Sequence, residues 1–559
     1  MSQPASTPPH NPYHDSPAKE TVISMIISLA LALVAKSYIV EAFVIPTGSM
    51  APTLLGQHML YRSPQSGYEW AVNPLYFRDP DTQQVPFEVQ GGGANQALPT
   101  ATDPMSTSRV NGWQANAATY RVMSGYAPPP QPKRARAGDR ILVHKWLYEV
   151  FEPSRFDVVV FKNPENPSLN YIKRLLGLPN EQVWLADGDV FVRPRPKADA
   201  PAEAWKIQRK PDRIQRSLWR TIFSSEYTPE KAELGGTKVF ESPWTGNGWE
   251  TASQDYRTAQ TESALSWNTG SWPIWDWVPY NDTRDSSNRE KWPVSDLRLR
   301  AGVRPEAAGL TVAATITARR HQFQGSIEGG KAILRMRPFD ASVPDGVGAW
   351  EELASAPVPS SALKPGRVTN LEFWHADQRL ELWVDDARVV MKEYDWDALT
   401  RIANVTGPEN PNVAMGPAKL HSPGSYEDGR TGTAAARLPG VEWSFKGSGV
   451  TLHRVGLDRD VYYEPTARGG LSGLGTTDLR PANLGPDQFF CCGDNSPNSF
   501  DGRMWRTVNP WLASEIDATP GIVHRKMMLG KAFFVYFPAP FSLFERIPIP
   551  DFGRMRFIR

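Results

Sequence analysis

Fifteen consecutive uncharged residues, Thr21 to Ala35 (TVISMIISLALALVA), constrain this chain more than any other stretch. Such a run has to leave water, either in a protein core or in a bilayer. Carried on through Lys36 to Val40, it makes a helix about 30 Å long, roughly one hydrocarbon thickness. Lys36 lies near one end, where its amine can snorkel to the interface. A cleaved signal peptide is the rival reading, since Ala30-Leu31-Ala32 offers small residues at suitable spacing. Its basic leader would be poor, with only Lys19 beside Glu20. The expectation is an uncleaved transmembrane helix over 21–40, behind a disordered, Pro- and Ser-rich tail at 1–20.

The chain has 559 residues, and at about 150 residues per domain this suggests three or four units. Lys and Arg number 61 against 60 Asp and Glu, a net charge of +1 that gives no footprint for nucleic acid. Pro (51), Gly (43) and Trp (20) are plentiful, which favours a mainly β protein with many turns over a helical bundle. The only cysteines, Cys491 and Cys492, are adjacent. Bridging them would strain the intervening peptide, so they read as small apolar residues in a strand. No disulfide framework, cysteine metal site or other cofactor is expected.

Organisation follows from periodicity. Residues 58–137 have little, and end in Pro128-Pro129-Pro130 and Lys133-Arg134-Ala135-Arg136, the marks of an insertion with a linker. Within it, Ser63-Pro64-Gln65-Ser66-Gly67-Tyr68 has the layout of a zinc knuckle with serine in both cysteine places, and Ser124-Gly125-Tyr126 repeats its end. Serine hydroxyls are poor zinc ligands, so this reads as a degenerate ribbon without metal. From Gly138 the text turns to buried strands, Ile141–Val143, Val158–Phe161 and Tyr171–Leu178, and Asp187-Gly188-Asp189 reads as a hairpin turn. Residues 198–480 form a second insertion, with strand patterns such as Leu380-Glu381-Leu382-Trp383-Val384 that predict a β-sandwich over about 295–465. Its stretch NLEFWHADQRLELWVDDARVV resembles one hairpin of concanavalin-A-like jelly rolls. Trp374, Trp383 and His375 could form a carbohydrate- or protein-stacking surface, but core is the favoured reading. Asp377, Asp385 and Asp386 read as turn residues rather than calcium ligands.

A serine hydroxyl needs a base to become a nucleophile. The nine histidines sit in no serine-protease motif. In Ile45-Pro46-Thr47-Gly48-Ser49-Met50-Ala51-Pro52, Pro46 and Gly48 favour a turn from which Ser49 stands out, with its backbone N–H directed to the same space. A lysine can serve as base once burial disfavours its charged form. Lys173 lies among apolar residues in Leu169-Asn170-Tyr171-Ile172-Lys173-Arg174-Leu175-Leu176, sharing a strand face with Tyr171.

These runs, with Gly493-Asp494-Asn495-Ser496-Pro497-Asn498-Ser499-Phe500-Asp501-Gly502-Arg503 and Gly530-Lys531-Ala532, resemble the bacterial type I signal peptidase (leader peptidase) family. Departures are Thr47 for Ser, Phe156 for Gly and Gly502 for Ser. The resemblance implies a signal-peptidase-type β catalytic domain made of 41–57, 138–197 and 481–545, with a tail at 546–559. It implies Ser49 as nucleophile, Lys173 as general base, and an oxyanion hole from the Ser49 N–H and the Thr47 hydroxyl. Ser499 would hydrogen-bond and orient the lysine amine, Asp501 and Arg503 would pair in support, and Tyr171 would lie alongside. Phe43 and Ile45 are candidate pocket residues by position. The implied partners are secretory preproteins with small residues at P1 and P3, the lipid bilayer and the secretion translocon. The implied place is the inner membrane, single-pass, with the catalytic domain on the extracytoplasmic side. The alternative is a catalytically inactive anchored relative that binds through its sandwich.

Overall fold

The apolar runs that bracket the turn formers come together as one antiparallel platform. The structure, a computed structural model, describes residues 17–34, 39–73, 100–106, 109–111, 136–196, 201–229, 233–234, 237–238, 240–281, 292–340, 346–406, 438–464, 473–543 and 547–559. The platform strands are β1 (Val40–Val44), β2 (Arg140–His144), β3 (Val158–Lys162), β4 (Asn170–Gly177), β5 (Gln488–Cys492) and β6 (Met528–Phe537). They lie in the order β1-β2-β6-β3-β4-β5. Chain segments hundreds of residues apart are therefore hydrogen-bonded neighbours.

Both faces of this sheet are covered, which explains why its central strands read as continuous apolar runs rather than alternations. Val158, Val160 and Ile172 face one cluster with Ile45, Met50, Leu54, Ile141 and Val143. Val159, Phe161, Leu175 and Cys491 face another with Trp505 and Leu512. Cys492 points the other way, into a third cluster with Leu176 and Phe490. Both thiols are free and buried, the small apolar role read for them. The Asp139 carboxylate staples the unit, accepting the Leu55 amide at 2.9 Å and the Ala539 amide at 3.0 Å. The segment 546–559 is no loose tail where it is described: Arg556–Phe557 pairs with β6.

The hairpin at Asp187-Gly188 is a two-residue turn with both φ positive, 47° and 84°, joining Glu181–Ala186 to Asp189–Pro194. Beyond it, the second insertion forms two seven-stranded sheets. Leu299, Leu371 and Leu382 of one sheet and Val312, Phe323 and Trp443 of the other meet in one core. Strands begin well before the expected 295, at Arg220–Ser224, Trp244–Thr245, Tyr256–Thr258 and Glu262–Trp267. Several are two or three residues long, too short to show a period in the sequence. Trp374 and Trp383 are buried with Trp219, and the Arg216 guanidinium lies 4.2 Å over the Trp383 ring. His375 is buried, stacked 4.0 Å from Phe323. None of the three forms an open stacking surface. Asp385 and Asp386 do occupy a positive-φ turn. Asp377 sits in one too, but its carboxylate is buried and paired, a role the turn reading missed.

A cluster of buried charges, Asp377 among them, joins the insertion to the hairpin that carries Asp187 and Asp189. Asp189, Asp296, Asp377 and Asp460 converge closely enough to hold a cation. The Lys210 ammonium supplies one, bonded to Asp377 and lying 2.9 Å from Asp460. Arg401 pairs with Asp189 at 2.6 Å, and Arg319 reaches Asp187 at 2.7 Å and Asp296.

In the first insertion, Met59–Arg62 pairs with Glu69–Val72, and Thr100–Thr102 with Arg109–Asn111. The Ser63 hydroxyl accepts the amides of Gln65 and Ser66, as a knuckle ligand would. Among the described residues the facing turn is Asp103–Ser106; Ser124-Gly125-Tyr126 lies outside the described residues. Ser66 and Ser106 donate to one Asp103 oxygen at 2.8 and 2.7 Å, and these hydrogen bonds join the two turns.

The apolar N-terminal run forms helix α1, Pro17–Val34. Among the described residues no helix is long and apolar enough to cross a membrane. The expected 21–40 span differs at both ends: the described helix starts earlier, at Pro17, taking in Lys19 and Glu20, and Val40 belongs to β1. Lys36 and the tail 1–16 lie outside the described residues.

Removing the Lys210 amine leaves buried carboxylates uncompensated. Lys210→Met is expected to lower the unfolding free energy by about 3–5 kcal/mol, measured by urea denaturation at pH 7. An effect under about 1 kcal/mol would contradict the buried pairing.

Candidate active site

Ser49 sits in a single 3-10 turn, Gly48–Met50, entered through the exposed residues Pro46 and Thr47. Pairing across the sheet sets Lys173 of β4 opposite Val159 of β3. The lysine side chain emerges on the side where the Ser49 turn packs against β4. Its amine donates to Ser49 Oγ at 2.7 Å, and both groups are buried, with 4% of Lys173 and 7% of Ser49 exposed. Residues 124 apart in the chain are brought into direct contact.

Burial dominates the electrostatics. Loss of hydration pulls the Lys173 amine down from 10.5 to about 8, against the opposing field of Asp501. Among the described residues no carboxylate touches the amine. The Tyr171 ring lies 5.2 Å from it.

Arg174, the next residue along β4, faces the opposite way and makes a two-pronged pair with Asp494, Nε to Oδ1 at 2.7 Å and Nη2 to Oδ2 at 2.6 Å. Burial disfavours the Asp494 carboxylate, but Arg174 outweighs it and holds the carboxyl below its usual range. Thr53 donates to Asp494 at 2.6 Å, and Arg220 donates to Thr53 at 2.7 Å. Arg174 also donates to the Phe156 carbonyl at 2.8 Å. Phe156 has φ 70°, which accounts for glycine being usual at that place in the family it resembles.

Asp501 and Arg503 form a buried two-pronged pair, both contacts at 2.9 Å. Arg503 overcomes the effect of burial and keeps the Asp501 carboxyl below its ordinary value. Ser499 is buried beside them. Its hydroxyl lies close enough to favour ionised Asp501, without hydrogen-bond geometry to any described group. The expected hydrogen bond from Ser499 to the lysine amine is not formed. Thr47 is exposed and its hydroxyl does not cap the serine turn. Ile45 is 3% exposed and belongs to the core, while Phe43 packs at the edge of the same cluster.

Sequence reasoning did not single out Asn495, Thr53, Arg220 or the Arg174–Asp494 pair. Asn495 donates its backbone N–H to the Ser49 carbonyl at 3.1 Å and its side-chain amide to the Gly48 carbonyl at 2.8 Å. Its place in the Gly-Asp-Asn run was the available signal. Arg220 lies in a Trp- and Arg-rich stretch with no pattern to mark it.

A β platform that presses a serine hydroxyl against a buried lysine amine defines the class first, a serine–lysine centre. Residues 130–241 match the sequence model of the signal peptidase, peptidase S26, family. Signal peptidase I of Pseudomonas fluorescens is 39% identical over 86 residues, 13% of this chain and 29% of that one. Signal peptidase I of Rickettsia canadensis (strain McKiel) is 32% identical over 101 residues, 16% of this chain and 38% of that one. The chain thus spans about a third of the length of these curated relatives. Among solved structures, the carbohydrate binding module CBM66 from Bacillus subtilis superposes on 39% of this chain and 96% of its own, at 10% identity and a TM-score of 0.20, too slight to bear on fold or ligand.

The lysine geometry has a consequence for stability. The amine binds its proton less tightly folded (about 8) than unfolded (10.5), so the unfolded chain holds more protons between those values and stability rises with pH across that window. Below pH 8 the burial penalty is fully present. Lys173→Met is therefore expected to raise stability at pH 7 by about 1–3 kcal/mol and to abolish the rise between pH 8 and 10. Thermal unfolding of both proteins over pH 6–10 checks it; a less stable variant at pH 7 would contradict it.

Proposed function

We propose that this protein is a membrane-associated serine endopeptidase that removes N-terminal signal peptides from secretory preproteins, with Ser49 as nucleophile and Lys173 as general base. The observation that carries this is the 2.7 Å contact between a buried amine held near 8 and a buried hydroxyl, in a chain whose residues 130–241 match the signal peptidase family model. The neutral amine takes the Ser49 proton as the oxygen attacks the scissile carbonyl. The Ser49 N–H and the Thr47 hydroxyl stabilise the oxyanion, and the exposed position of Thr47 leaves its hydroxyl available to substrate. The Lys173 ammonium then protonates the leaving amine. In the second half, neutral Lys173 deprotonates water, which hydrolyses the Ser49 ester and frees the signal peptide, the mature chain having left as the amine. Asp501 and Arg503 hold the wall behind the amine.

The preprotein binds extended, adding a strand to an enzyme edge, and is cleaved after small residues because a large P1 or P3 side chain would clash in a shallow pocket. Helix α1 supports association with the bilayer. Ile23, Met25, Ile26, Ile27, Leu29 and Leu31 are each 45–64% exposed, an apolar surface all round that water does not favour. We place the catalytic unit on the extracytoplasmic side of the inner membrane, where preproteins emerge from the translocon.

Ser49→Ala is expected to lower preprotein processing by more than about 10³-fold. In the unaltered enzyme, kcat/KM should fall as pH drops through about 8, because protonation removes the base. Processing of a preprotein with alanine at P1 and P3, followed by gel shift over pH 6–10, reads both. Retained cleavage in Ser49→Ala, or a flat profile across pH 8, would contradict the assignment.

A further inference from the structure

The second insertion reaches the serine turn through Pro279–Asn281, a single 3-10 turn of its own. The Tyr280 ring lies across Gly48 so closely that a Cβ there would stand 2.0 Å from its Cε1. Only glycine admits this approach. The Tyr280 hydroxyl donates to the Gln57 carbonyl at 2.8 Å, at the far end of the serine loop, and the Tyr280 carbonyl accepts the Asn73 amide of the first insertion at 2.7 Å. Both insertions are thus tied to the loop that carries Ser49.

Asn281 completes the frame. Its Nδ2 donates to Asn495 Oδ1 at 2.7 Å, and its Oδ1 accepts from Asn495 Nδ2 at 2.9 Å. The same Asn495 amide holds the Gly48 carbonyl. Because a carbonyl only accepts, it fixes which end of the Asn495 amide faces the turn. Asn281 must then both give and take one hydrogen bond, which a primary amide does and a carboxylate cannot. Asn495 is fully buried and Asn281 only 7% exposed, so water does not substitute for either partner.

We propose that Tyr280 and Asn281 of the second insertion are positioning residues for the nucleophile. They lock Asn495 and the Gly48–Ser49 turn in the register that keeps Ser49 Oγ at the Lys173 amine. The insertion is on this view part of the active-site frame. This rests on the reading of Ser49 as nucleophile. A displacement of the turn by about 1 Å is enough to cost about 10²-fold in turnover.

The test uses the full-length protein, a preprotein with alanine at P1 and P3, and four variants: Asn281→Ala, Asn281→Asp, Asn495→Ala and Asn281→Ala with Asn495→Ala. Asn281→Ala and Asn281→Asp are each expected to lower kcat about 10–100-fold with KM within about twofold. In the Asn495→Ala background the Asn281 change is expected to cost nothing further, since it acts through Asn495. Amide hydrogen exchange over residues 48–54 should accelerate in both single Asn281 variants, whether or not the protein processes preproteins. Wild-type kcat in Asn281→Asp, an equal loss in both backgrounds, or unchanged exchange over 48–54 would each overturn the proposal. Absent processing by the unaltered protein would instead sink the peptidase reading, and the exchange measurement would still decide whether Asn281 holds the turn.

Discussion

The Lys173 amine has been taken out of water and given a hydroxyl, not a carboxylate, as its contact. That choice costs stability, and the surrounding architecture is what enforces it. The amine sits on β4 between strands whose side chains are apolar on both faces, and the Ser49 turn closes over it. The adjacent thiols Cys491 and Cys492 are buried in the neighbouring strand, and burial pushes both thiols up, so they stay neutral. A wall of small uncharged groups leaves the lysine proton loosely held.

Other buried ions in the same molecule are treated in the opposite way. Arg174 meets Asp494, Arg503 meets Asp501, and Lys210 meets Asp377 and Asp460, each with direct contacts. Burial opposes the charge on Lys210 as it does on Lys173, yet the surrounding aspartates drive the Lys210 amine well above its ordinary value. Two buried lysines thus diverge because one has carboxylates within contact and the other only a distant one. The first arrangement holds distant segments of the β insertion together beside Asp189. The second makes an amine that can exchange its proton near neutral pH.

Much of this was legible in the sequence where the constraint is local. Val158–Phe161 and Tyr171–Leu178 announce buried strands by continuous apolarity, and Asp187-Gly188 announces a two-residue turn. Ser49 and Lys173 stood out because a glycine-framed serine and a lysine amid apolar residues are each unusual, and their order matched one family. What was illegible depends on contacts across long separations. Nothing in the text around Asn281 signals a reciprocal amide pair with Asn495, 214 residues away. The strands Trp244–Thr245 and Tyr256–Thr258 are too short for periodicity and owe their form to the sheets that recruit them. Asp103–Ser106 as the partner of the Ser63–Ser66 knuckle was hidden because an aspartate stands where the eye looks for cysteine or serine. That the expected 21–40 span cannot reach Val40 was hidden because Val40 pairs with His144 in a strand, which apolarity alone does not reveal.

The most direct test of the account is the protonation of one amine. Heteronuclear NMR of the full-length protein with lysine labelled at Cε, with Lys173 assigned by its absence in Lys173→Met, reads that titration without reference to substrate. The account predicts a midpoint near 8 for Lys173, set by burial. A midpoint at the ordinary lysine value of about 10.4 would mean that the amine stands in water, and the serine would have no base.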